Sequence, residues 1–175
     1  PDAVCATVMS TDIPSLKRLS GMVKSIDKNI LFLCGGPLPT NDFEDFPALT
    51  DVDAVVKGEG EEALLKMAAA IEAGQRPESD LAAGISVRGP DGSLEEPACA
   101  PRIDDLDALP FPDWPLIDFD AYSAKPNLNN FLAGYRYAAV FTSRGCPFRC
   151  IYCHNTFGKT IRHRSADNVL DEFEL

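Results

Sequence analysis

Short, continuous apolar runs alternate with helical periodicity over the first 75 residues. The runs at residues 3–9, 30–34 and 52–56 are typical of strands buried on both faces of a parallel sheet. Apolar residues at helical spacing follow Asp12, a candidate N-cap, and a later helical pattern extends to about Ala73. Strands that alternate with helices predict an α/β fold with a Rossmann-like, doubly wound parallel sheet. Ligands of such sheets bind at the carboxyl ends of the strands.

The pattern changes after this first part. Residues 84–96 have the strand and turn residues of a β-hairpin, and residues 97–126 contain six of the fourteen prolines, which indicates a linker. An apolar run at residues 137–142 predicts a new strand, and Ser165 is the candidate N-cap of a last helix. The chain is therefore predicted to have three parts, residues 1–75, 76–135 and 136–175.

The charge pattern narrows the choice of ligands. The net charge is −11, from 16 basic and 27 acidic residues, which argues against nucleic-acid binding. Residues 121–166 are the exception, because they contain no acid, and this basic island predicts a site for something anionic. Its basic side chains are Lys125, Arg136, Arg144, Arg149, Lys159, Arg162 and Arg164. No apolar run approaches the roughly 18 residues that cross a bilayer, so we expect no transmembrane segment.

The six cysteines fall into two groups of three. Cys5, Cys34 and Cys99 stand alone. The first two lie in strand-like runs, where we expect buried thiols that behave as small apolar side chains. A disulfide scaffold would be shorter and denser in cysteine, so the count indicates a reducing, cytoplasmic compartment.

The second group forms a C-x-x-x-C-x-x-C motif from Cys146, Cys150 and Cys153. Three thiolates this close can hold three corners of an iron–sulfur cluster whose fourth iron has no protein ligand. That open iron could chelate the amino and carboxylate groups of a small molecule. Two other interpretations stay open, namely a structural zinc site completed by His154 and thiols that bind no metal.

The motif lies between a strand and a helix and closely resembles the signature of the radical S-adenosylmethionine (radical SAM) enzymes. The resemblance implies that Cys146, Cys150 and Cys153 ligate a [4Fe–4S] cluster, and that Tyr152 lies beside the adenine of S-adenosylmethionine. In that family an electron donor such as flavodoxin or ferredoxin reduces the cluster. Reductive cleavage of S-adenosylmethionine then yields a 5'-deoxyadenosyl radical, which abstracts hydrogen from a small-molecule substrate. Residues 136–175 would be the first β/α unit of a radical SAM partial barrel.

Two glycine-rich turns follow predicted strands in the first part, at residues 35–37 and 58–60. With residues 106–112 of the linker and the cysteine motif, this order resembles radical SAM enzymes that have an N-terminal cobalamin-binding domain. The resemblance covers nearly the whole chain, and it implies that residues 1–75 are the C-terminal part of a cobalamin-binding-type sheet. The cobalamin-binding residues that it implies are Thr7, Gly35, Gly36, Pro37, Gly58, Glu59 and Gly60. We expect Gly36→Val to block cobalamin binding without unfolding the domain.

The leading hypothesis is a fragment of a cobalamin-dependent radical SAM enzyme. We expect a fragment because the chain does not begin with methionine and stops within a predicted helix. The resemblance implies methyl transfer to an unactivated carbon, or a radical cyclisation or rearrangement. We expect the isolated chain to be inactive, because a radical must be shielded from water within a complete barrel. Two alternatives remain open: a radical SAM enzyme whose first domain is a scaffold without cobalamin, and a non-catalytic, Cys-rich zinc-binding module.

Overall fold

The computed structural model describes residues 1–124, 135–153 and 155–175, except for the side chain of Tyr122. These residues form two compact units. The first unit contains Pro1–Ile103 and Gly145–Thr160, and the second contains Asp104–Arg144 and Ile161–Leu175. The domain boundaries that follow from the sequence patterns, at residues 75 and 135, stay predictions.

The first unit is built on a four-stranded sheet in the order β1-β2-β3-β4. β1 pairs with β2 and β2 pairs with β3 in parallel, whereas β3 and β4 are antiparallel. The strands are β1 (Ala3–Thr7), β2 (Leu31–Gly35), β3 (Ala54–Val56) and β4 (Ile85–Val87). The predicted α/β class and the parallel arrangement of the first three strands are confirmed, and the fourth strand makes the sheet mixed.

Three helices connect these strands. They are α1 (Ile13–Ile26), α2 (Pro37–Asn41) and α3 (Glu61–Glu72), and 3₁₀ helices at Ser10–Asp12 and Phe43–Ala48 flank them. Asp12 is the N-cap of α1, as predicted, but its carboxylate accepts the N–H of Met9 and makes no hydrogen bond to the helix. The position of the cap is therefore predictable, while its hydrogen bond is not.

Apolar side chains cover both faces of this sheet. On one face Phe32 and Val55 pack in a cluster that includes Leu16 of α1. On the other face Val56 packs in a cluster that includes Met67 of α3. Because alternate residues of a strand point to opposite faces, two helices on opposite sides bury consecutive residues of β2 and β3. This arrangement explains why these strands have continuous apolar runs.

Two predictions of β structure are wrong, one of a hairpin and one of a strand. The proposed hairpin at residues 84–96 does not form, because β4 pairs with β3 instead and residues 93–96 are not a strand. Residues 137–142 are also not a strand. The short strand that follows them, β5 (Ser143–Arg144), pairs with β6 (Arg162–His163) in an antiparallel two-stranded sheet. In both cases the position of the strand depends on the partner with which it pairs.

The two strand cysteines differ from each other. Cys34 lies in β2 and is buried, as predicted, and burial raises the pKa of its thiol to about 12, with nearby Cys5 adding to the effect. Cys5 is exposed, which contradicts its predicted burial. The reason is that β1 is at the edge of the described sheet, whereas β2 has a neighbour on either side.

The described part of the second unit also contains α4 (Phe119–Ser123), α5 (Ala166–Phe173) and the 3₁₀ helix Trp114–Leu116. The predicted cap of the last helix is confirmed, since the Ser165 side chain accepts the N–H of Asn168. Asp107 of the linker accepts hydrogen bonds from the side chain and from the backbone N–H of Ser165, and these lower the pKa of the Asp107 carboxyl. Among the described residues, none of the helices has the length and apolar character that a membrane span requires.

Candidate functional site

The first glycine turn lies at the carboxyl end of β2, where Thr7 of β1 is the register partner of Gly35. Gly36 has a φ of 98°, in the left-handed region that favours glycine. A Cβ atom at Gly36 would lie only 2.7 Å from Cγ2 of Thr7. Packing of the turn against β1 therefore requires glycine at this position, so Gly36→Val would disturb the fold itself. The expectation that this substitution spares the fold is wrong.

Gly35 differs from its neighbour. Its φ is not positive, and the nearest atom to a Cβ placed there is the carbonyl oxygen of Val56 at 3.8 Å. Gly60 in the second turn is similar, with Cγ1 of Val56 at 3.4 Å. These distances are ordinary van der Waals contacts, so protein packing does not explain the glycines. Glycine at Gly35 and Gly60 keeps the backbone of both turns free of side-chain atoms, which fits the close approach of a flat ligand such as a corrin.

The second glycine turn, after β3, is held in place by a later segment. The N–H of Ala100 donates to the carbonyl oxygen of Lys57 at 2.8 Å, and a Cβ at Gly58 would lie 3.0 Å from that same nitrogen. Glu59 is buried, and its carboxylate accepts the N–H of Ile103 at 3.4 Å. The Glu59 side chain thus contacts the backbone of the segment that crosses the turn.

A threonine joins the two turns. Oγ1 of Thr40 donates to the carbonyl oxygen of Gly36 at 2.7 Å and accepts the N–H of Gly58 at 3.1 Å. Sequence reasoning missed this residue. The available signal was its position four residues after Gly36, since threonine in a helix can hydrogen-bond the carbonyl four residues earlier. Its second partner depends on the tertiary structure.

The cysteine loop belongs to the same compact unit as the glycine turns. Cys146, Cys150 and Cys153 are all exposed, as is Tyr152. Within the described ranges, no three Cys, His, Asp or Glu side chains are close enough together to hold a metal ion. Three thiols within eight residues are nonetheless the donor set that iron–sulfur clusters use, so the residue types fit such a group. His154, the proposed fourth zinc ligand, lies outside the described residues.

Contacts within the first unit hold this loop. The N–H of Cys146 donates to the carbonyl oxygen of Gly158 at 3.1 Å. Nδ2 of Asn41, the last residue of α2, donates to Oγ1 of Thr156 at 3.4 Å. The cysteine loop therefore contacts the helix that follows the first glycine turn. The contact places predicted cluster ligands and predicted cobalamin residues in one packed unit.

The basic island is less uniform than the sequence suggests. Arg164 pairs with buried Glu172, and Arg136 pairs with Asp120 at 3.2 Å. These acids come from outside residues 121–166 and neutralise part of the charge when the chain folds. Arg149 and Lys159 are exposed beside the cysteines, so the positive charge that remains there is local to the loop. Lys125 lies outside the described residues.

Comparison with known proteins shows which family the N-terminal part of the first unit resembles. Residues 1–68 match the family of the B12 binding domain. This match covers β1 to β3 and both glycine turns, which are the elements from which the cobalamin resemblance was inferred.

Individual relatives extend the similarity to the whole chain. The chain is 29% identical over 181 residues to an uncharacterized methyltransferase of Pyrococcus horikoshii, which covers 100% of this chain and 36% of the relative. It is 30% identical over 178 residues to the anaerobic magnesium-protoporphyrin IX monomethyl ester cyclase of Rubrivivax gelatinosus, covering 100% of this chain and 31% of the cyclase. The chain thus spans about a third of the length of these relatives.

A solved structure shows the same fold. The cobalamin-dependent S-adenosylmethionine radical enzyme OxsB, with aqua-cobalamin and S-adenosylmethionine bound, has a TM-score of 0.68 at 18% identity over 99% of this chain and 23% of OxsB. Together the comparisons confirm the predicted resemblance to radical SAM enzymes that have an N-terminal cobalamin-binding domain.

Proposed function

We propose that the chain is part of a cobalamin-dependent radical SAM enzyme that acts on a small molecule. Its reaction is methyl transfer to an unactivated carbon or a radical cyclisation or rearrangement. The observation that carries the proposal is the presence, in one compact unit, of two glycine turns at the ends of parallel strands and a loop with three exposed cysteines. The names of the methyltransferase and cyclase relatives support both reaction types.

The cobalamin site is formed by the ends of β1, β2 and β3. Thr7, Gly35, Gly36 and Pro37 provide the first side, and the turn 58–60 provides the second. Gly35 and Gly60 allow close approach because no side chain covers their backbone, while Gly36 and Gly58 give the turns their shape. The role of Glu59 is to fix the second turn, because its carboxylate accepts the N–H of Ile103. Bound cobalamin would supply a carrier for a methyl group or for radical chemistry.

The three thiolates of Cys146, Cys150 and Cys153 would hold the [4Fe–4S] cluster, and Tyr152 would bind the adenine of S-adenosylmethionine. The bound cluster would supply the electron that cleaves S-adenosylmethionine. Exposed Arg149 and Lys159 add positive potential around the anionic thiolates. A one-electron donor such as flavodoxin or ferredoxin would reduce the cluster, and the reducing cytoplasm would keep the other three cysteines, Cys5, Cys34 and Cys99, as free thiols.

Anaerobic reconstitution of the full-length protein with iron, sulfide and cobalamin tests the proposed function. We expect about four irons per chain, bound cobalamin, and reductant-dependent formation of 5'-deoxyadenosine or methylated product. Metal analysis separates the alternatives, because one zinc and no iron would indicate a zinc-binding module. A complete cluster without cobalamin would indicate a scaffold domain.

Gly35→Ala tests the cobalamin site while leaving the fold intact. The new Cβ fits the protein but enters the space assigned to the corrin, so we expect cobalamin affinity to fall about tenfold, which corresponds to 1.4 kcal/mol. The thermal midpoint should remain that of the wild type. Equilibrium dialysis against hydroxocobalamin measures the affinity.

Gly21→Ala is the matched control. Gly21 lies in α1, and a Cβ there would be 3.5 Å from the nearest atom, Oδ2 of Asp51. The substitution adds the same methyl group away from both turns and should leave cobalamin affinity unchanged. Equal affinity of the Gly35→Ala and Gly21→Ala proteins would contradict the placement of the corrin at Gly35.

A further inference from the structure

We propose that Thr40 is a positioning residue that sets the spacing of the two glycine turns for cobalamin binding. The inference rests on the proposed function, because it assigns the two turns to the same cofactor. Thr40 is not among the residues that the cobalamin resemblance implies, and its role follows from its hydrogen bonds.

The Thr40 hydroxyl is bonded on both sides. It donates its proton to the carbonyl oxygen of Gly36 and accepts the N–H of Gly58 with its oxygen. A hydroxyl is suited to this task because it is a donor and an acceptor at one atom. A valine side chain has almost the same shape and can form neither bond. The bridge therefore depends on a single oxygen atom.

The strand ladder does not by itself fix the spacing of these turns. The register of β2 and β3 pairs Leu33 with Ala54 and Cys34 with Val55. Gly36 and Gly58 lie two and three residues beyond the last of these partners. At this distance from the ladder, the hydroxyl bridge joins the backbone of one turn to that of the other.

Packing holds the bridging residue itself in place. Thr40 belongs to α2, whose Leu38 is buried in the core, and the N–H of Leu38 donates to the carbonyl oxygen of Val8 at 2.9 Å. The backbone N–H of Thr40 also donates to the carbonyl oxygen of Gly36 at 3.3 Å. The hydroxyl thus extends from a fixed helix. Loss of the bridge should change the second turn more than the first.

Thr40→Val and Thr40→Ser in the full-length protein test the inference. Thr40→Val removes the bridge and should weaken hydroxocobalamin binding about tenfold, because the Gly58 N–H loses its partner. Thr40→Ser keeps the hydroxyl and should restore affinity to within about threefold of the wild type. Iron content after reconstitution should be the same in all three proteins. Thr11→Val is the matched control, since the Thr11 hydroxyl is exposed and donates to the adjacent Asp12 carboxylate, away from both turns.

Each outcome separates this inference from the proposed function. Wild-type affinity in Thr40→Val would overturn the inference alone. An equal loss in Thr40→Ser and Thr40→Val would also overturn it, because packing and not the hydroxyl would then be responsible. A wild-type protein that binds no cobalamin would overturn the proposed cobalamin site and the inference together. Should Thr40→Val not fold, faster amide exchange at residues 57–60 in Thr40→Ala than in Thr40→Ser supports the bridge, and equal exchange overturns it.

Discussion

Replacing Cys150 by alanine is expected to abolish cluster incorporation. The motif supplies three thiolates, and in the proposed site the fourth iron would be left for S-adenosylmethionine. A cluster held at three corners has no spare ligand, so the loss of one thiolate leaves two irons without protein ligands. After anaerobic reconstitution the full-length variant should contain less than about one iron per chain, against about four in the wild type. The visible absorbance of the cluster should disappear with the iron.

The matched control is Cys99→Ala. Cys99 is exposed like Cys150 but lies apart from the motif, so its removal should leave iron and sulfide contents at the wild-type level. Cys146→Ala and Cys153→Ala should behave like Cys150→Ala. Four irons in a folded Cys150→Ala protein would show that another residue ligates the cluster and would refute the assignment. These measurements are independent of turnover, so they also apply to a protein whose substrate is unknown.

Local sequence patterns predict the central elements of the first unit well. β2 and β3 are buried on both faces, which produces the continuous apolar runs that are typical of such strands. Ser165 is the cap of α5 because its hydroxyl and its partner, the N–H of Asn168, are three residues apart. In each case the interacting groups are close in sequence or repeat with a fixed period, so the pattern contains the necessary information.

Pairing partners are not encoded locally in this way. Residues 84–96 have a good turn, and the N–H of Gly89 donates to the carbonyl oxygen of Ser93 at 2.8 Å. β4 nevertheless pairs with β3, some thirty residues earlier in the chain. A strand pattern predicts that a segment is extended and which of its faces are buried. The pattern does not predict the strand with which the segment pairs.

The same limit applies to the candidate site. The sequence identifies the glycine turns, because these glycines directly follow apolar runs that predict strands. The sequence does not distinguish Gly36 from Gly35. Packing against Thr7 requires glycine at position 36, whereas packing does not require glycine at position 35. That distinction depends on φ and on neighbours from another strand. Thr40 was missed for a similar reason, since one of its two hydrogen bonds reaches a residue eighteen positions away.

Arg88 makes the clearest set of long-range hydrogen bonds that sequence patterns do not reveal. Its guanidinium donates to five backbone carbonyl oxygens, those of Phe46, Pro47, Leu49, Val52 and Gly92. The first three lie at the end of the 3₁₀ helix Phe43–Ala48, where the carbonyl oxygens of Phe46 and Leu49 also accept the backbone N–H groups of Leu49 and Val52. Burial lowers the pKa of Arg88, and Asp53 opposes this effect. One side chain thus ties β4 to the segment between α2 and β3.

Arg88→Ala is therefore expected to lower the free energy of unfolding by about 2–4 kcal/mol, because five carbonyl groups lose a charged donor and only those near the surface can turn to water. Arg88→Lys should restore little of this loss, since a single ammonium group cannot reach carbonyls on both sides of the planar guanidinium. Urea denaturation followed by circular dichroism measures the stability of both variants.

Arg76→Ala is the control. Arg76 is mostly exposed and lies 4.0 Å from Asp53, so its removal should cost less than about 0.5 kcal/mol. If Arg88→Ala unfolds at the same urea concentration as Arg76→Ala, the five hydrogen bonds do not contribute to stability, and the segment after α2 is held by its apolar contacts alone.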